Sequence, residues 1–283
     1  MKSINRPLEN INDILDIFFS DNPQSNVQGQ ITANRASLVF LEGQYISKVQ
    51  DNTLFEMPRG IPNIITLSKG DLIRYYKYRM LNKENARKFY DTLLLSAPNN
   101  ICPYCTIKNV KTVDHFLPKS EYPYLSVVPS NLVPCCRDCN TDKKISYPID
   151  NDTQTYHPYF DNIENESWIK AELMCTEPLS FQFRVERLPH WNDNKFNRSV
   201  NHFKTYNINE LFSNEANREL RTRQFYFKQL LNRDNIQLIE QIEDTYNSCL
   251  NSVGVLDWQT IMYACLKENS WFLQGCNGSD YFL

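Results

Sequence analysis

Two cysteine pairs constrain this chain more than any other feature. Cys102-Pro-Tyr-Cys105 and Cys136-Arg-Asp-Cys139 enclose 30 residues between them. A C-x-x-C turn presents two thiolates to one ion, and two such turns complete the tetrahedral shell of zinc. Four protein ligands leave no open position, so the spacing predicts a structural Zn2+, not a catalytic one. Such an ion would staple a segment too short and too polar to fold alone; in zinc-finger peptides binding contributes about 10–16 kcal/mol to folding. The plain alternative is four buried thiols. Cys135 stands beside Cys136, but only Cys136 is spaced C-x-x-C with Cys139. Cys175, Cys249, Cys265 and Cys276 are scattered and read as ordinary buried thiols.

A structural zinc has no use for the polar residues that lie inside the clamp. Asp114 and His115 stand side by side in VDHFLPKS, Asn131 precedes Cys136 by five residues, and Asn140 directly follows Cys139. Together they fit a phosphodiesterase that uses one hard divalent ion. Mg2+ or Mn2+ takes oxygen ligands, and Asp114 and Asn140 offer a carboxylate and an amide oxygen. An imidazole with near-neutral pKa suits the general base, which assigns that role to His115. Neighbours in a strand point to opposite faces, so His115 would need a local kink to share a centre with Asp114. Asn131 would hold the imidazole, directly or through the loop backbone.

These residues, with Pro118, Ser120, Leu132, Val133 and Lys143, make up the pattern C-x-x-C…DH-x-x-P-x-S…N-L-V-x-x-C-x-x-C-N-x-x-K. It resembles the HNH endonucleases of the ββα-metal superfamily over about 45 of the 283 residues. The resemblance implies that Asp114 and Asn140 bind the catalytic ion, that His115 is the base and Asn131 the middle Asn of the family name, and that the products carry 5′-phosphate and 3′-hydroxyl ends. Many relatives have a Gly-Gly after the Asp-His turn. This chain has SEYPYLSVVPSN, which implies a stiffer hairpin tip. The stretches DHFLPKSEYPYLSVVPSNLVPCC and YHPYFD are also similar to HNH nuclease subunits of bacterial anti-phage systems, Septu and some retron systems among them. That likeness implies an ATPase subunit as partner.

The rest of the chain is helix-rich. Apolar spacing predicts a short helix over about 8–20 and a longer one over about 70–96, opened by Ser68 and Asp71 as a capping box and broken near Asn82. The remainder of 1–66 reads as mixed, Asn- and Pro-punctuated sequence. FQFRVERL alternates like a half-buried strand, and 208–270 reads as helices with a break at Gly254. Seven glycines against 16 Tyr and 16 Phe describe a rigid, aromatic-packed protein. The net charge of −3 excludes a general polyanion binder, so nucleic acid must meet local basic patches. Residues 69–88 carry a local +5 interleaved with tyrosines, which would suit phosphates and stacked bases through Arg74 and Lys77; a solvated helix face over a tyrosine-rich core is the rival reading. Lys119, Arg137, Lys143 and Lys144 flank the Asp-His and Asn140 positions and are expected at phosphates. His157 reads either as a group near the site or as one packed among aromatics; His190 and His202 read as ordinary histidines. The aromatic C-terminal SWFLQGCNGSDYFL either completes the helical core or docks on a partner.

The expected fold class is α+β: a zinc-stapled ββα-metal core over 101–160, a helical N-terminal arm over 1–100 and a mostly helical region over 161–283. No apolar run approaches the roughly 20 residues of a membrane span, and the N-terminus lacks a signal-peptide pattern, so the expected setting is cytoplasmic. The expected activity is metal-dependent hydrolysis of nucleic acid, DNA before RNA. A zinc module that only binds explains the cysteines equally well, but it gives no reason for Asp114, His115, Asn131 and Asn140 to fall in phase.

Overall fold

The computed structural model describes residues 1–21 and 26–276. They fall into two compact units, Met1–Asn162 with Asn197–Tyr206, and Ile163–Phe196 with Asn207–Leu283. The fold is mixed: helices with two small antiparallel sheets.

The first unit begins with helix α1 (Ile11–Ser20), which buries Ile11, Ile14, Leu15 and Phe18. Asn10 and Asp13 form its capping box. Helix α2 (Asn26–Gln50) lies in a stretch whose sequence reads as mixed, with no helix bounds, inside the expected helical arm. Its buried residues are Ile31, Leu38, Leu41, Tyr45 and Val49, spaced by seven, three and four. Two polar residues interrupt that stripe. Asn34 accepts the Ile65 amide at 2.9 Å and Glu42 accepts the Ile11 amide at 2.9 Å. Exposed Val39 and Phe40 on the opposite face blur the period further.

Ser68 and Asp71 cap helix α3 (Lys69–Arg74), as expected. A π-helical turn, Tyr75–Met80, follows; its signature is the Leu81 amide bonding back to the Tyr76 carbonyl at 3.2 Å. The chain breaks at Leu81–Lys83, where the sequence places it, and resumes as helix α4 (Glu84–Leu95). Lys83 offers α4 no side-chain cap. Asp21 supplies one, accepting the Asn85 and Ala86 amides at 3.1 and 3.0 Å. Helix α4 packs on an antiparallel hairpin, β1 (Thr112–His115) with β2 (Leu132–Cys135). Helix α5 (Arg137–Lys143) follows directly, which completes a ββα unit.

Helix α6 (Asp193–Thr205) returns residues from Asn197 onward to the first unit. There Arg198 donates to the Gln154 carbonyl at 2.9 Å and to the Asp161 carboxylate at 2.7 Å.

The second unit pairs β3 (Ile169–Met174) with β4 (Ser180–Val185), in register from Ile169 opposite Val185. The predicted alternation appears in β4, where Phe181 and Phe183 are buried. Helix α7 (Ile208–Arg233) covers this strand. Its Asn217 and Asn209 accept the Phe181 and Phe183 amides at 2.7 and 2.8 Å, so the strand edge is not left bare. Helix α8 (Asn235–Val253) ends at Gly254, whose φ of 93° suits glycine. Helices α9 (Trp258–Glu268) and α10 (Ser270–Leu273) close the unit, with Phe272 buried against Phe227. The described part of the C-terminal stretch thus completes a helical core; residues 277–283 lie outside the described residues. Among the described residues no helix is long and apolar enough to cross a membrane.

Candidate active site and metal centre

The four expected cysteines converge. Cys102, Cys105, Cys136 and Cys139 are buried, and their sulfurs all lie within 4.8 Å of one another. The Cys105 and Cys136 sulfurs stand 4.0 Å apart. A zinc tetrahedron with Zn–S of about 2.3 Å has edges of roughly 3.8 Å, so the cluster fits that ion. Local structure explains the convergence. The first pair sits in a knuckle closed by the Cys102 amide on the Lys108 carbonyl at 2.8 Å, with Thr106 at φ 60°. The second pair straddles the start of α5, where Cys136 is the N-cap and its sulfur accepts the Cys139 amide at 3.4 Å. Cys135 faces elsewhere from β2 and stays outside the cluster.

His115 ends β1 and is 5% exposed. Its Nε2 lies 2.9 Å from the Ser126 carbonyl. A carbonyl only accepts, so Nε2 carries the proton and donates. Burial first, and then the Lys119 ammonium, holds the imidazole well below its ordinary pKa, so the ring is neutral. Nδ1 therefore presents a lone pair, with Lys119 Nζ 3.4 Å away. The edge of the ring packs on Tyr76 at 4.4 Å between centroids.

Asp114 is 4% exposed and has different partners. Tyr104 donates its hydroxyl at 3.2 Å, and the Lys143 ammonium lies 2.9 Å from one carboxylate oxygen and 3.2 Å from the other. Lys143 also donates to the His115 carbonyl at 2.7 Å. β1 pairs regularly through both residues, Asp114 opposite Val133 and His115 opposite Leu132. The ordinary strand alternation therefore stands, without the kink that the sequence suggested. The Lys143 ammonium joins the two residues, on the carboxylate of one and the carbonyl of the other.

Asn140 is half-buried on α5, one turn before Lys143 and so on the same helix face. A carboxylate and an amide oxygen on facing elements form a donor set that suits a hard divalent cation. Asn131 is fully buried and stitches the loop between the strands. Its Oδ1 accepts the Leu117 amide at 2.7 Å, and its Nδ2 donates to the Leu117 and Leu125 carbonyls at 3.1 and 3.2 Å.

Of the expected phosphate-contacting residues, Arg74, Lys77, Arg137 and Lys144 are exposed, Lys119 is half-buried, and Lys143 is turned inward onto Asp114. Lys144 holds φ 54°, a backbone region that a residue with a side chain seldom adopts. His157 is packed among aromatics: Nδ1 accepts the Tyr159 amide at 3.2 Å, Nε2 meets the Tyr45 hydroxyl at 3.0 Å, and Phe116 lies 4.1 Å away. His202 is buried on the Tyr104 carbonyl, and His190 pairs with Glu166. Sequence reasoning missed Tyr104, Tyr76 and Ser126. Each is an unremarkable type at its place in the chain, and only the fold gives it a polar or ring partner at the site.

A ββα hairpin-and-helix, a four-cysteine clamp and an Asp-His pair on the first strand point to one family. Residues 102–145 match the model of the HNH endonuclease family. This chain is also similar to Protein ea31 of Escherichia phage lambda, 29% identical over 297 aligned positions that cover 97% of this chain and 100% of that protein. A shorter similarity links it to Septu protein PtuB of Bacillus thuringiensis, 44% identical over 55 residues, 18% of this chain and 21% of PtuB. No solved structure matches. The chain thus carries an HNH nuclease domain, joined to a four-cysteine cluster that fits zinc.

Proposed function

We propose that the protein is an endonuclease that hydrolyses phosphodiester bonds in nucleic acid, DNA before RNA. His115 is the general base, and Asp114 and Asn140 hold the divalent ion. The observation that carries this reading is the state of His115: a buried neutral imidazole whose Nε2–H is spent on Ser126, leaving the Nδ1 lone pair for water. His115 Nδ1 takes a proton as the water oxygen attacks phosphorus in line; the bond to the 3′ oxygen breaks, and that oxygen is protonated from solvent. A bound Mg2+ or Mn2+ would offset the charge that builds on the phosphate and the leaving oxygen. Lys119 moves its ammonium from Nδ1 to a phosphate oxygen as substrate arrives. Arg137, Lys144, Arg74 and Lys77 hold phosphates farther along the strand. Lys143 keeps the Asp114 carboxylate in place, and Asn131 fixes the loop that carries Lys119.

The test is incubation of purified protein with labelled single-stranded DNA, duplex DNA and tRNA, with Mg2+, Mn2+ or EDTA. DNA should be cut and EDTA should stop the cutting. His115→Ala should lower the rate on the order of 10² to 10⁴-fold with zinc content retained. Near-normal cutting by that variant would remove the base assignment. Cutting of tRNA alone would establish the RNA reading, and binding without cutting would make this a recognition module.

The proposed setting is anti-phage defence with an ATPase subunit. What supports it is the likeness of 55 residues of the chain to a protein named for the Septu system. Contact with the ATPase would come from 1–66 or 205–283, away from the metal centre. Co-expression with the neighbouring reading frame, followed by size-exclusion chromatography, should give one complex; separate elution with unchanged nuclease activity would leave a stand-alone enzyme. The full-length relative belongs to a phage, so the side that the activity serves is read from plaque counts with and without the gene.

A further inference from the structure

Two holds on His115 trace back to one short stretch of the chain outside the HNH segment, one through Ser126 and one direct. The Ser126 carbonyl that receives Nε2–H belongs to a residue that is itself tied down. Ser126 is fully buried, and its hydroxyl donates to the Leu72 carbonyl of α3 at 2.7 Å. Four residues after Leu72, at the start of the π-helical turn, Tyr76 sets its ring on the imidazole at 4.4 Å with the planes 71° apart. The same tyrosine ring lies under the Lys119 ammonium at 5.1 Å. One aromatic ring thus touches both the base and the cation beside its lone pair. Tyr76 is 7% exposed, so this contact is enclosed.

Tyr76 is the second residue of the π turn, and such turns recur at functional sites. Here Tyr75, Tyr76 and Met80 face inward while Lys77 and Tyr78 face solvent. The segment ends at Met80, more than 20 residues before the first zinc ligand, and lies outside 102–145.

We infer that α3 and its π turn form a clamp on the general base, with Tyr76 and Ser126 as positioning residues. The inference rests on the reading of His115 as base. The clamp sets the ring's direction from two sides, through the Leu72–Ser126–Nε2 chain of hydrogen bonds and through the Tyr76 ring. An isolated HNH segment keeps the Ser126 carbonyl but lacks the Leu72 anchor behind it and the Tyr76 ring. The N-terminal region is therefore part of the catalytic apparatus and not only a scaffold around it.

The test compares Tyr76→Leu, Tyr76→Phe and Ser126→Ala with His115→Ala, all in the full-length protein. Each variant is assayed for kcat and KM on duplex DNA with Mg2+, for zinc per chain, and for the tautomer of His115 by ¹⁵N-histidine NMR. Misplacement of a catalytic group by about 1 Å costs on the order of 10²-fold in rate. Tyr76→Leu and Ser126→Ala should each lower kcat by roughly 10- to 100-fold with KM and zinc little changed. Tyr76→Phe, which keeps the ring, should restore kcat to near the wild-type value. In Ser126→Ala the Nε2–H signal should weaken or give way to a tautomer mixture, and this readout stands even if Tyr76→Leu fails to fold. Wild-type kcat in both loss variants, or an unaltered tautomer signal in Ser126→Ala, with His115→Ala inactive, would overturn the clamp and leave the base assignment standing. Normal cutting by His115→Ala would instead overturn the base itself.

Discussion

Asn131→Ala tests whether the loop between the two strands is stitched by one side chain. Asn131 is fully buried and makes three hydrogen bonds, to the Leu117 amide, the Leu117 carbonyl and the Leu125 carbonyl. Alanine removes all three partners. Leu117 and Leu125 are themselves fully buried, so their backbone groups have no ready access to water. A buried backbone group left unpaired costs about 1–3 kcal/mol. The Leu125 carbonyl keeps the Val128 amide at 3.3 Å, so the two Leu117 groups carry the loss; they share one site and are not additive, and water entering the hole recovers part. The expected loss is therefore about 3–5 kcal/mol, a large share of the roughly 5–15 kcal/mol by which a domain is stable. Urea unfolding of the zinc-loaded protein gives the free energy directly. In a thermal scan the shift should be roughly 6–20 °C downward. Cleavage should fall further than the unfolded fraction accounts for, because the loosened loop carries Lys119 and leads into Ser126. A loss under about 1 kcal/mol would refute the argument, since it would mean that the loop finds its partners without Asn131.

Cys139→Ser should release zinc and unfold the core, because metal binding there is folding energy; metal analysis of the wild-type protein should give about one zinc per chain, and a visible absorbance band from an iron–sulfur cluster would refute the zinc assignment. Lys143→Met should leave the buried Asp114 carboxylate without its counter-charge and cost about 3–5 kcal/mol; millimolar Mg2+ should recover more stability in this variant than in wild type, and equal Mg2+ effects in the two would contradict the pairing. Acid should destabilise the protein through its buried neutral histidines. Burial holds His157 and His202 well below 6.5, so the unfolded chain binds more protons as pH falls below that value. Stability should therefore be fully present above about pH 6.5 and decline below it; His157→Gln should flatten the slope, and an unchanged slope would show that His157 takes up its proton without cost.

The metal centre was legible because its chemistry is tied to spacing. Two C-x-x-C turns can serve one ion only if they meet, so Cys102, Cys105, Cys136 and Cys139 could be brought together without knowledge of the fold. Asp114, His115, Asn131 and Asn140 are singled out by their chemistry and their family resemblance, and the fold places them on β1, before β2 and on α5. Lys143 was not. A lysine on a short helix reads as a surface cation, and only the closeness of α5 to β1 turns it onto Asp114. The kink expected between Asp114 and His115 rested on the assumption that both side chains face one point. The regular pairing of β1 with β2 through both residues shows no such kink. Helix α2 was missed because Asn34 and Glu42 occupy its buried stripe and exposed Val39 and Phe40 break the contrast between faces. Both polar residues earn their burial by capping amides from other segments, which no local pattern reveals. The break near Asn82 was visible, but the π turn before it was not.

The ammonium of Lys143 on Asp114 gives the chain two unlike relations to metal. The sulfur cluster has no internal substitute for its ion, so the fold and the zinc stand or fall together. The carboxylate does have one. Its charge is balanced from within, and the hairpin and helix need no visiting cation to close over it. Withdrawal of hard divalent ions should therefore silence the protein without undoing it, and their return should revive it at once. Loss of zinc has a longer way back, because the chain must refold as the ion rebinds.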